Sequence, residues 1–336
     1  MGIQRVAVIG TGSWGTAASG LLARNCAEVT LLARSGAVAD SINQAHRNPR
    51  HLRGYVLPDN VGATTQAPEA LEGSDAVVVA TPSAFLRSTM RSVAPHVPAG
   101  VPVVVLTKGM EEGTLELMSE VVGDEVGEPC RIAALSGPNH AEEICRDMVS
   151  AAVVASPDEG VTRAARDMFV SPDFRVYCSH DLRGVEVCGA VKNVIAIACG
   201  ICWGLGMGDN TLAVLMTRGL AEIGRIVSAV GGDPMTCMGL AGMGDLVATC
   251  TSSHSRNRTF GEAFARGTSL EEYEARTGMV VEGAKAVRGT WELACERGIE
   301  TPITRAVHAI LYEGMPMDEA RHSLLDRDPN EEFYGL

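Results

Sequence analysis

The fold is decided by one stretch near the start of the chain, Arg5-Val-Ala-Val-Ile-Gly10-Thr-Gly12-Ser-Trp-Gly15. Its first half predicts a buried strand, and the small and apolar residues of 16–25 predict a helix just beyond it. Between them lies the pattern G-x-G-x-x-G. Gly10 allows a tight turn, Gly12 lets the backbone approach a pyrophosphate, and Gly15 allows the helix to pack closely. Since a helix N-terminus attracts phosphates, the stretch predicts a dinucleotide-binding turn.

Short apolar runs recur through the first half of the chain, separated by segments long enough to form helices. Runs that are nearly continuous in Val, Ile and Ala are typical of a parallel sheet covered on both faces. The first half therefore predicts a doubly wound α/β domain of the Rossmann type. The predicted strands are 5–10, 28–33, 75–80, 101–107, 131–135, 150–155 and 174–178.

The second half of the chain has a different pattern, which begins after about Asp181. Strand patterns largely end there, and long segments rich in Ala, Leu, Ile and Gly have helical spacing. A length of 336 residues is enough for about two domains. We expect a dinucleotide-binding domain over 1–183 and an all-α substrate and catalytic domain over 184–336. The predicted helices of the second domain are 184–204, 210–230, 282–298 and 302–313.

The charge of the chain argues against two kinds of partner. Its 28 basic and 41 acidic residues give a net charge of −13, which opposes binding to nucleic acid or to an anionic membrane. The longest uncharged apolar stretch, 193–208, has 16 residues and four glycines, so we expect no transmembrane segment. The N-terminus lacks the pattern of a signal peptide. We expect a cytoplasmic protein.

The ten cysteines are dispersed along the chain and predict reduced thiols rather than disulfides. Cys199 and Cys202 form a C-x-x-C pattern, which can be redox-active or bind a metal. No second pair of this kind and no nearby histidine pair completes a zinc site. Packing of both thiols inside a helix is the favoured interpretation, and we predict no metal.

The end of the second predicted strand bears on the choice of dinucleotide. A carboxylate there usually binds the ribose hydroxyls of NAD, but this chain has Ala33-Arg34-Ser35. Arg34 could pair with a 2′-phosphate, so the sequence predicts that NADP is accepted. A solvated loop arginine is the alternative.

Lysine is rare in this chain, because 25 of the 28 basic residues are Arg and only Lys108, Lys192 and Lys285 are Lys. Lys108 follows a predicted strand, at the sheet edge where ligands bind. Lys192 is the only charged residue between Glu186 and Asp209, in an apolar helical segment. Desolvation there would suit an amine to proton transfer, whereas the alternative is a lysine that reaches solvent at a domain edge. Lys285 has no such context.

Polar clusters also occur in Gly-rich surroundings. Ser136-Gly-Pro-Asn139 follows a predicted strand, and Gly242-Met-Gly-Asp245 places one carboxylate among small residues. The cluster Ser252-Ser-His-Ser-Arg-Asn-Arg258 is rich in groups that bind anions. It predicts either a phosphate site or the cap and solvated first turn of a helix, with His254 at the helix start rather than acting as a base.

Taken together, these motifs resemble the bacterial NAD(P)-dependent glycerol-3-phosphate dehydrogenases over nearly the whole chain. The matching motifs are Gly10-x-Gly-Ser-Trp-Gly15, Ala80-Thr-Pro-Ser83, Thr107-Lys-Gly109, Ser136-Gly-Pro138, Val191-Lys-Asn193, Gly242-x-Gly-Asp245, Ser255-Arg-Asn257 and Val281-Glu-Gly283. The resemblance implies reversible reduction of dihydroxyacetone phosphate to sn-glycerol 3-phosphate with NADP or NAD, for glycerophospholipid synthesis. It also implies a homodimer.

The resemblance also implies roles for individual residues, with Lys192 as the catalytic proton donor and acceptor. The implied substrate contacts are Lys108, Gly137, Lys192, Asp245, Ser255, Arg256 and Asn257. The cofactor contacts are Gly10, Gly12 and Gly15 of the turn together with Ser13, Trp14, Arg34, Lys108, Gly137, Ala141, Arg256, Val280 and Glu282. Position 139 departs from the family, which has a small hydroxyl residue where this chain has Asn139. Asn139 is therefore a weaker candidate ligand.

Other functions remain compatible with the residues alone. A two-domain hydroxyacid dehydrogenase would have the same cofactor domain and a catalytic lysine, but would use a carboxylate substrate. A redox sensor would bind the dinucleotide without turnover, which leaves Lys192 unexplained. A purely structural partner protein has little support in the sequence.

Overall fold

The computed structural model describes residues 2–127, 131–278, 280–327, 331–332 and 334–335. The chain divides into two compact units. The first comprises Met1–Lys108 and Glu116–Leu182, and the second comprises Gly109–Leu115 and Arg183–Leu336. The short segment Gly109–Leu115 therefore belongs with the second unit, although the sequence places it within the first predicted domain.

The first unit is built on a sheet of eight strands. They are β1 Arg5–Ile9, β2 Glu28–Leu32, β3 Val61–Thr64, β4 Ala76–Val79, β5 Val103–Val105, β6 Ile132–Ser136, β7 Ser150–Ala155 and β8 Phe174–Ser179. Their order across the sheet is β3-β2-β1-β4-β5-β6-β7-β8. The chain order reverses between β1 and β4, which is the point where open α/β sheets bind ligands.

Alternate residues of a strand point to opposite faces of the sheet, and in these strands both sets are apolar. Helices therefore cover both faces. Val6 and Val8 pack into one core with Leu21, while Ala7 and Ile9 pack into a second core with Leu86. The predicted doubly wound α/β fold is confirmed. The helices of this unit are α1 Ser13–Leu22, α2 Gly36–Ala45, α3 Ala67–Leu71, α4 Leu86–Val93, α5 Met118–Val126, α6 Ala141–Ile144 and α7 Glu159–Phe169.

The sheet differs from the prediction in two respects. Strand β3 was not predicted, because its four residues include Gly62 and lie at the sheet edge, where the pattern is weak. In addition, β7 pairs antiparallel with β6, so the expectation of a wholly parallel sheet is wrong for β7 and β8. The only helix between β6 and β7 is α6, which has four residues, too few to form the crossover that a parallel connection needs.

From Arg183 onward the second unit is helical in the described residues, as predicted. Its long helix α8, Leu182–Gly204, is buried continuously from Gly184 to Ile201. The other helices are α9 Asp209–Ala229, α10 Asp245–Thr251, α11 Arg256–Ala265, α12 Leu270–Thr277, α13 Glu282–Arg297, α14 Pro302–Tyr312 and α15 Met317–Leu325. The sequence did not predict α10, α12 or α15, which have at most nine residues each. Helix α11 begins at the cluster for which a helix cap was one of the two interpretations.

Helix α8 begins before the uncharged stretch 193–208 and ends within it, at Gly204. Its 23 residues would be enough to cross a bilayer by length and composition, but 94% of its most apolar window is buried inside the protein. An all-round apolar helix with this burial is typical of the centre of a helical domain.

Candidate active site

The glycine turn between β1 and α1 has the tight geometry that its sequence predicts. Gly10 has a φ of +115°, and a Cβ atom added there would lie 2.9 Å from the carbonyl oxygen of Ala80. A Cβ at Gly15 would lie 2.2 Å from the carbonyl oxygen of Gly10. By contrast, a Cβ at Gly12 would meet nothing within 4 Å. Gly10 and Gly15 are therefore needed by the fold, while the space beside Gly12 is open.

The N-terminus of α1 fits the pyrophosphate of a dinucleotide. Gly12 occupies the N-cap position and supplies no side-chain cap, so the first N–H groups of the helix remain for another acceptor. Asn48 supports the turn, because its side-chain amide donates to the Thr11 carbonyl and to the Thr16 hydroxyl, each over 2.9 Å. The buried Nε1 of Trp14 has no hydrogen-bond partner among the described residues.

Arg34 lies at the end of β2, where the sequence predicts contact with the adenosine ribose. Its side chain is exposed, and its guanidinium carbon lies 5.9 Å from the centre of the Phe85 ring. Ser35 is the N-cap of α2 but makes no side-chain cap bond. Both residues are therefore placed to contact an anion at this end of the sheet.

Lys108 follows β5 and lies against the loop after β6. Its Nζ donates to the Gly137 carbonyl over 3.2 Å and to Asn139 Oδ1 over 3.3 Å. The buried Nδ2 of Asn139 has no partner among the described residues. Ala141 is buried at the start of α6, four residues after Gly137. Asn139 therefore helps to hold Lys108, although it departs from the family pattern.

The second unit contains a buried cluster around Lys192. Its Nζ lies 2.5 Å from Asp245 Oδ1 and 2.7 Å from the Thr249 hydroxyl. The Thr249 hydroxyl also lies 3.3 Å from Asp245 Oδ1. Lys192, Asp245 and Thr249 are 6%, 3% and 4% exposed. A buried charge of each sign is thus paired and hydrogen-bonded, the condition under which burial is tolerated.

Local backbone structure fixes the carboxylate in this cluster. A π-helical turn over Leu240–Gly244 leads directly into α10, which begins at Asp245. A Cβ at Gly242 would lie 2.1 Å from the Cys237 carbonyl oxygen, so only glycine fits this turn. Thr249 lies one helical turn beyond Asp245 and therefore faces the same side of α10.

The Ser255–Asn257 motif lies at the N-terminus of α11. Ser255 caps this helix, because its hydroxyl accepts from the Arg258 N–H over 3.3 Å. Asn257 is buried, donates to Asn193 Oδ1 over 2.8 Å and accepts from the Gly283 N–H over 3.0 Å. Arg256 is exposed. The helix-cap interpretation is therefore correct for Ser255, and Arg256 is the exposed cation of the motif.

The remaining candidates lie near the start of α13. Val280 is 46% exposed, and Glu282 is the first residue of the helix. Lys285 is exposed further along the same helix, and His254 is exposed before α11. The candidates divide between the two units, with Gly10–Gly15, Arg34, Lys108, Gly137 and Ala141 in the first, and Lys192, Asp245, Ser255–Asn257, Val280 and Glu282 in the second.

The described cysteines are all free thiols. A hydrogen bond with Cys250 and burial raise the pKa of the Cys199 thiol, and burial raises that of Cys202 to about 11. Raised pKa values disfavour the thiolate, which is the nucleophilic and metal-binding form. The C-x-x-C pair is therefore packed as the sequence predicts, while Cys130 lies outside the described residues.

Sequence reasoning missed two residues that make hydrogen bonds within the candidate site, Thr249 and Asn48. Thr249 could have been found from its spacing, because it follows Asp245 by four residues in a short helical segment. Asn48 could not, since it lies in a loop with no pattern and reaches the glycine turn only in the folded chain.

The fold and these side chains define a dinucleotide-dependent oxidoreductase. Residues 5–162 match the family model described as NAD-dependent glycerol-3-phosphate dehydrogenase N-terminus, and residues 181–322 match the model of the C-terminus. The chain belongs to the NAD-dependent glycerol-3-phosphate dehydrogenase family.

Named relatives resemble the chain over almost all of its length. A protein of Parafrankia sp. named glycerol-3-phosphate dehydrogenase (NAD(P)+) is 48% identical, covering 98% of this chain and 99% of the relative. A protein of the same name from Streptomyces griseus is 47% identical, covering 98% of each. The crystal structure of glycerol-3-phosphate dehydrogenase from Coxiella burnetii superposes with a TM-score of 0.90 at 37% identity, covering 97% of this chain and 99% of that one.

Proposed function

We propose that this protein catalyses the reversible reduction of dihydroxyacetone phosphate to sn-glycerol 3-phosphate with NADPH or NADH. The relatives carry the name of this activity. The observation that carries the proposal is the buried contact between Lys192 and Asp245, because it keeps an ammonium group ready in an apolar helix.

Lys192 provides the proton that the reaction needs. Bound NADPH or NADH supplies the hydride that reduces the substrate carbonyl. As the carbonyl oxygen becomes negative, the Lys192 ammonium stabilises the charge and donates a proton to it, the kind of assistance that contributes about 10²–10⁴ in rate. In the reverse direction, the neutral amine accepts the hydroxyl proton.

Asp245 and Thr249 position this amine. The carboxylate stabilises the ammonium form over a distance of 2.5 Å. The Thr249 hydroxyl fixes a second N–H direction, since it accepts from Nζ. The two contacts together orient the amine.

The phosphate of the substrate is assigned to the N-terminus of α11. Arg256 supplies an exposed guanidinium, and the first turn of the helix supplies N–H groups and the positive dipole end. Asn257 and Ser255 are held rigidly by their own hydrogen bonds and shape this surface. Binding at the phosphate would align the reacting carbon.

The cofactor is assigned to the glycine turn and its neighbours. Gly12 and the N-terminus of α1 would hold the pyrophosphate, and Arg34 would contact the adenosine end and favour NADPH. Lys108 would contribute positive charge to the binding of cofactor and of substrate. The further proposed contacts are Ser13, Trp14, Gly137, Ala141, Arg256, Val280 and Glu282.

The cellular role follows from the proposed product, which is the backbone of glycerophospholipids. A cytoplasmic location and a homodimer remain predictions. Light scattering of the purified protein measures the second of these.

The proposal is tested by following NADPH absorbance with dihydroxyacetone phosphate, with NADH in parallel. We expect turnover with this substrate and none with simple 2-keto acids, which a hydroxyacid dehydrogenase would reduce.

The role of Lys192 is tested by substitution, and Lys192→Met should lower kcat by about 10²–10⁴. Lys285→Met is the matched control, because Lys285 is exposed on α13, and it should retain full activity. Near-normal turnover by a folded Lys192→Met enzyme would overturn the assignment.

A further inference from the structure

A cavity of about 780 Å³ lies within the second unit, between α8, α9, α14 and α15. Small-molecule sites commonly have volumes of about 300–1,000 Å³. Lys192, Asp245 and Asn257 are not among the residues that line the cavity. The cavity is therefore separate from the proposed catalytic cluster, and the proposed reaction does not use it.

Most of the cavity wall is apolar. Helices α8, α9, α14 and α15 all contribute aliphatic side chains to it. Representative wall residues are Ile201, Leu205, Val214, Val307, Ile310 and Leu324. Val214 and Leu205 are 63% and 43% exposed, so this apolar surface is open to a ligand rather than closed by packing.

Two arginines of α9 give the cavity a basic part. Arg218 and Arg225 both line it and are seven residues apart, which places them on the same face of the helix. Neither forms an ion pair with a carboxylate in the described part of the chain. By contrast, Arg321 and Arg327, which also line the cavity, pair with Asp318 and Glu300.

Arg225 is the residue that points to a ligand. It is only 7% exposed, and its Nε donates to the Glu300 carbonyl over 2.9 Å. Its buried Nη1 has no hydrogen-bond partner among the described residues. Leaving a buried charged donor unsatisfied costs more than leaving a neutral one, so an anion at this position would offset a real cost of folding.

The surroundings of Arg225 agree with a missing anion. Burial lowers the pKa of its guanidinium, and the neighbouring Tyr334 and Glu222 oppose this by raising it. The Tyr334 ring lies 4.7 Å from the Arg225 guanidinium carbon and 5.7 Å from that of Arg218. The ring covers guanidinium faces, so an incoming anion would have to approach the N–H edges.

We propose that this cavity binds a single-chain amphiphilic anion, with its alkyl chain against the apolar wall and its carboxylate or phosphate on Arg218 and Arg225. Apolar burial supplies affinity, and the two guanidinium groups select for the charged head. A neutral molecule of the same shape would leave Arg225 unsatisfied.

The test is calorimetric titration of the whole protein with four probes below their micellar concentrations. Sodium decanoate and decyl phosphate carry both parts of the ligand, decanol carries the chain alone, and butyrate carries the charge alone. We expect saturable binding of one decanoate or decyl phosphate per chain. Decanol and butyrate should each bind at least tenfold more weakly. Whichever of decanoate and decyl phosphate binds with the higher affinity identifies the preferred head group as carboxylate or phosphate.

Variants locate the site. Arg218→Gln and Val214→Glu should each weaken decanoate binding at least tenfold while leaving the reductase activity unchanged. Both positions tolerate substitution better than Arg225, because Arg225 is nearly buried. Arg288→Gln is the matched control, since Arg288 stacks on Tyr312 and does not line the cavity, and it should bind decanoate normally.

Three results would overturn the proposal. One is equal affinity for decanol and decanoate, and another is unchanged decanoate binding in both cavity variants. The third is a wild-type protein that binds no probe and is a dimer that Val214→Glu separates into monomers. That result would assign the cavity wall to a second copy of the chain.

Discussion

Lys192 keeps its charge in an almost fully buried position because Asp245 and Thr249 surround its amine. The rarity of lysine in an arginine-rich chain draws attention to this residue in the sequence. The rarity of lysine alone does not identify a buried or catalytic residue, since Lys285 is also one of the three lysines and lies exposed on α13. The apolar neighbours of Lys192 are what distinguish it, because they predict burial and hence a need for a partner.

The partner itself could not be derived from spacing. Asp245 lies 53 positions from Lys192 and reaches it through the π-helical turn before α10. A turn of this kind has no reliable sequence pattern. The family resemblance supplies Asp245 as a substrate contact, whereas the structure makes it a direct partner of Lys192.

A substitution at Gly12 can test cofactor binding without disturbing the fold. Gly12→Val adds a side chain in open space, so the melting temperature of the protein alone should change little. The same side chain would occupy the space assigned to the pyrophosphate. Saturating NADPH, which stabilises a protein by about 2.7 kcal/mol at a hundred times its Kd, should therefore protect the wild type and not the variant.

Gly15→Ala is the contrasting variant in the same thermal-shift experiment. Its Cβ would lie 2.2 Å from the Gly10 carbonyl oxygen, so it should lower the melting temperature without any ligand. Full NADPH protection of Gly12→Val would argue against the assigned pyrophosphate position.

At the scale of elements, α8 and α11 touch through their backbones. A Cβ at Gly200 would lie 2.1 Å from the Arg258 carbonyl oxygen, and one at Gly261 would lie 2.2 Å from the Ile197 carbonyl oxygen. The two glycines thus let the helix that carries Lys192 pack closely on the helix that carries Arg256. The sequence shows the glycines but not which helix they face.

Gly200→Ala should therefore destabilise the protein by about 1–3 kcal/mol, although alanine is the better helix former. Displacement of α11 should also raise KM for dihydroxyacetone phosphate more than it lowers kcat. Urea unfolding and steady-state kinetics measure the two effects. Gly208→Ala is the control, because its Cβ would meet nothing within 4 Å. Equal stability of the two variants would contradict the close contact.

The antiparallel pairing of β7 shows that the sequence predicts the positions of strands but not their direction. The runs at 150–155 and 174–178 identify both strands, but nothing in an apolar run gives its direction. Direction is set by the connection, and α6 is too short to return the chain for parallel pairing.

At the scale of the whole molecule, one buried carboxyl links stability to pH. Glu222 of α9 is fully buried and accepts hydrogen bonds from the backbone of Ile303 and from the backbone and hydroxyl of Thr304 at the start of α14. Burial raises the pKa of Glu222 above its usual 4.5, against the lowering effect of these bonds. The folded state therefore holds a proton that the unfolded state releases above about pH 4.5.

The contribution of Glu222 to stability should accordingly fall as pH rises from about 4.5 toward its folded pKa. Glu222→Gln should lose about 1–3 kcal/mol through mispaired donors at α14. The difference in unfolding free energy between wild type and variant should be larger at pH 5 than at pH 8, as urea titrations would measure. Glu296→Gln, at an exposed position, should leave the pH profile of the wild type unchanged. Parallel profiles for wild type and Glu222→Gln would refute this link.

The placement of Gly109–Leu115 has a practical consequence for protein engineering. Because these seven residues belong with the second unit while the chain on both sides belongs with the first, neither unit corresponds to one uninterrupted piece of the gene. A chimaera that exchanges only residues 183–336 would combine a foreign helical half with the original seven-residue insert. Exchanging residues 109–115 and 183–336 together keeps all residues of the second unit from the same protein.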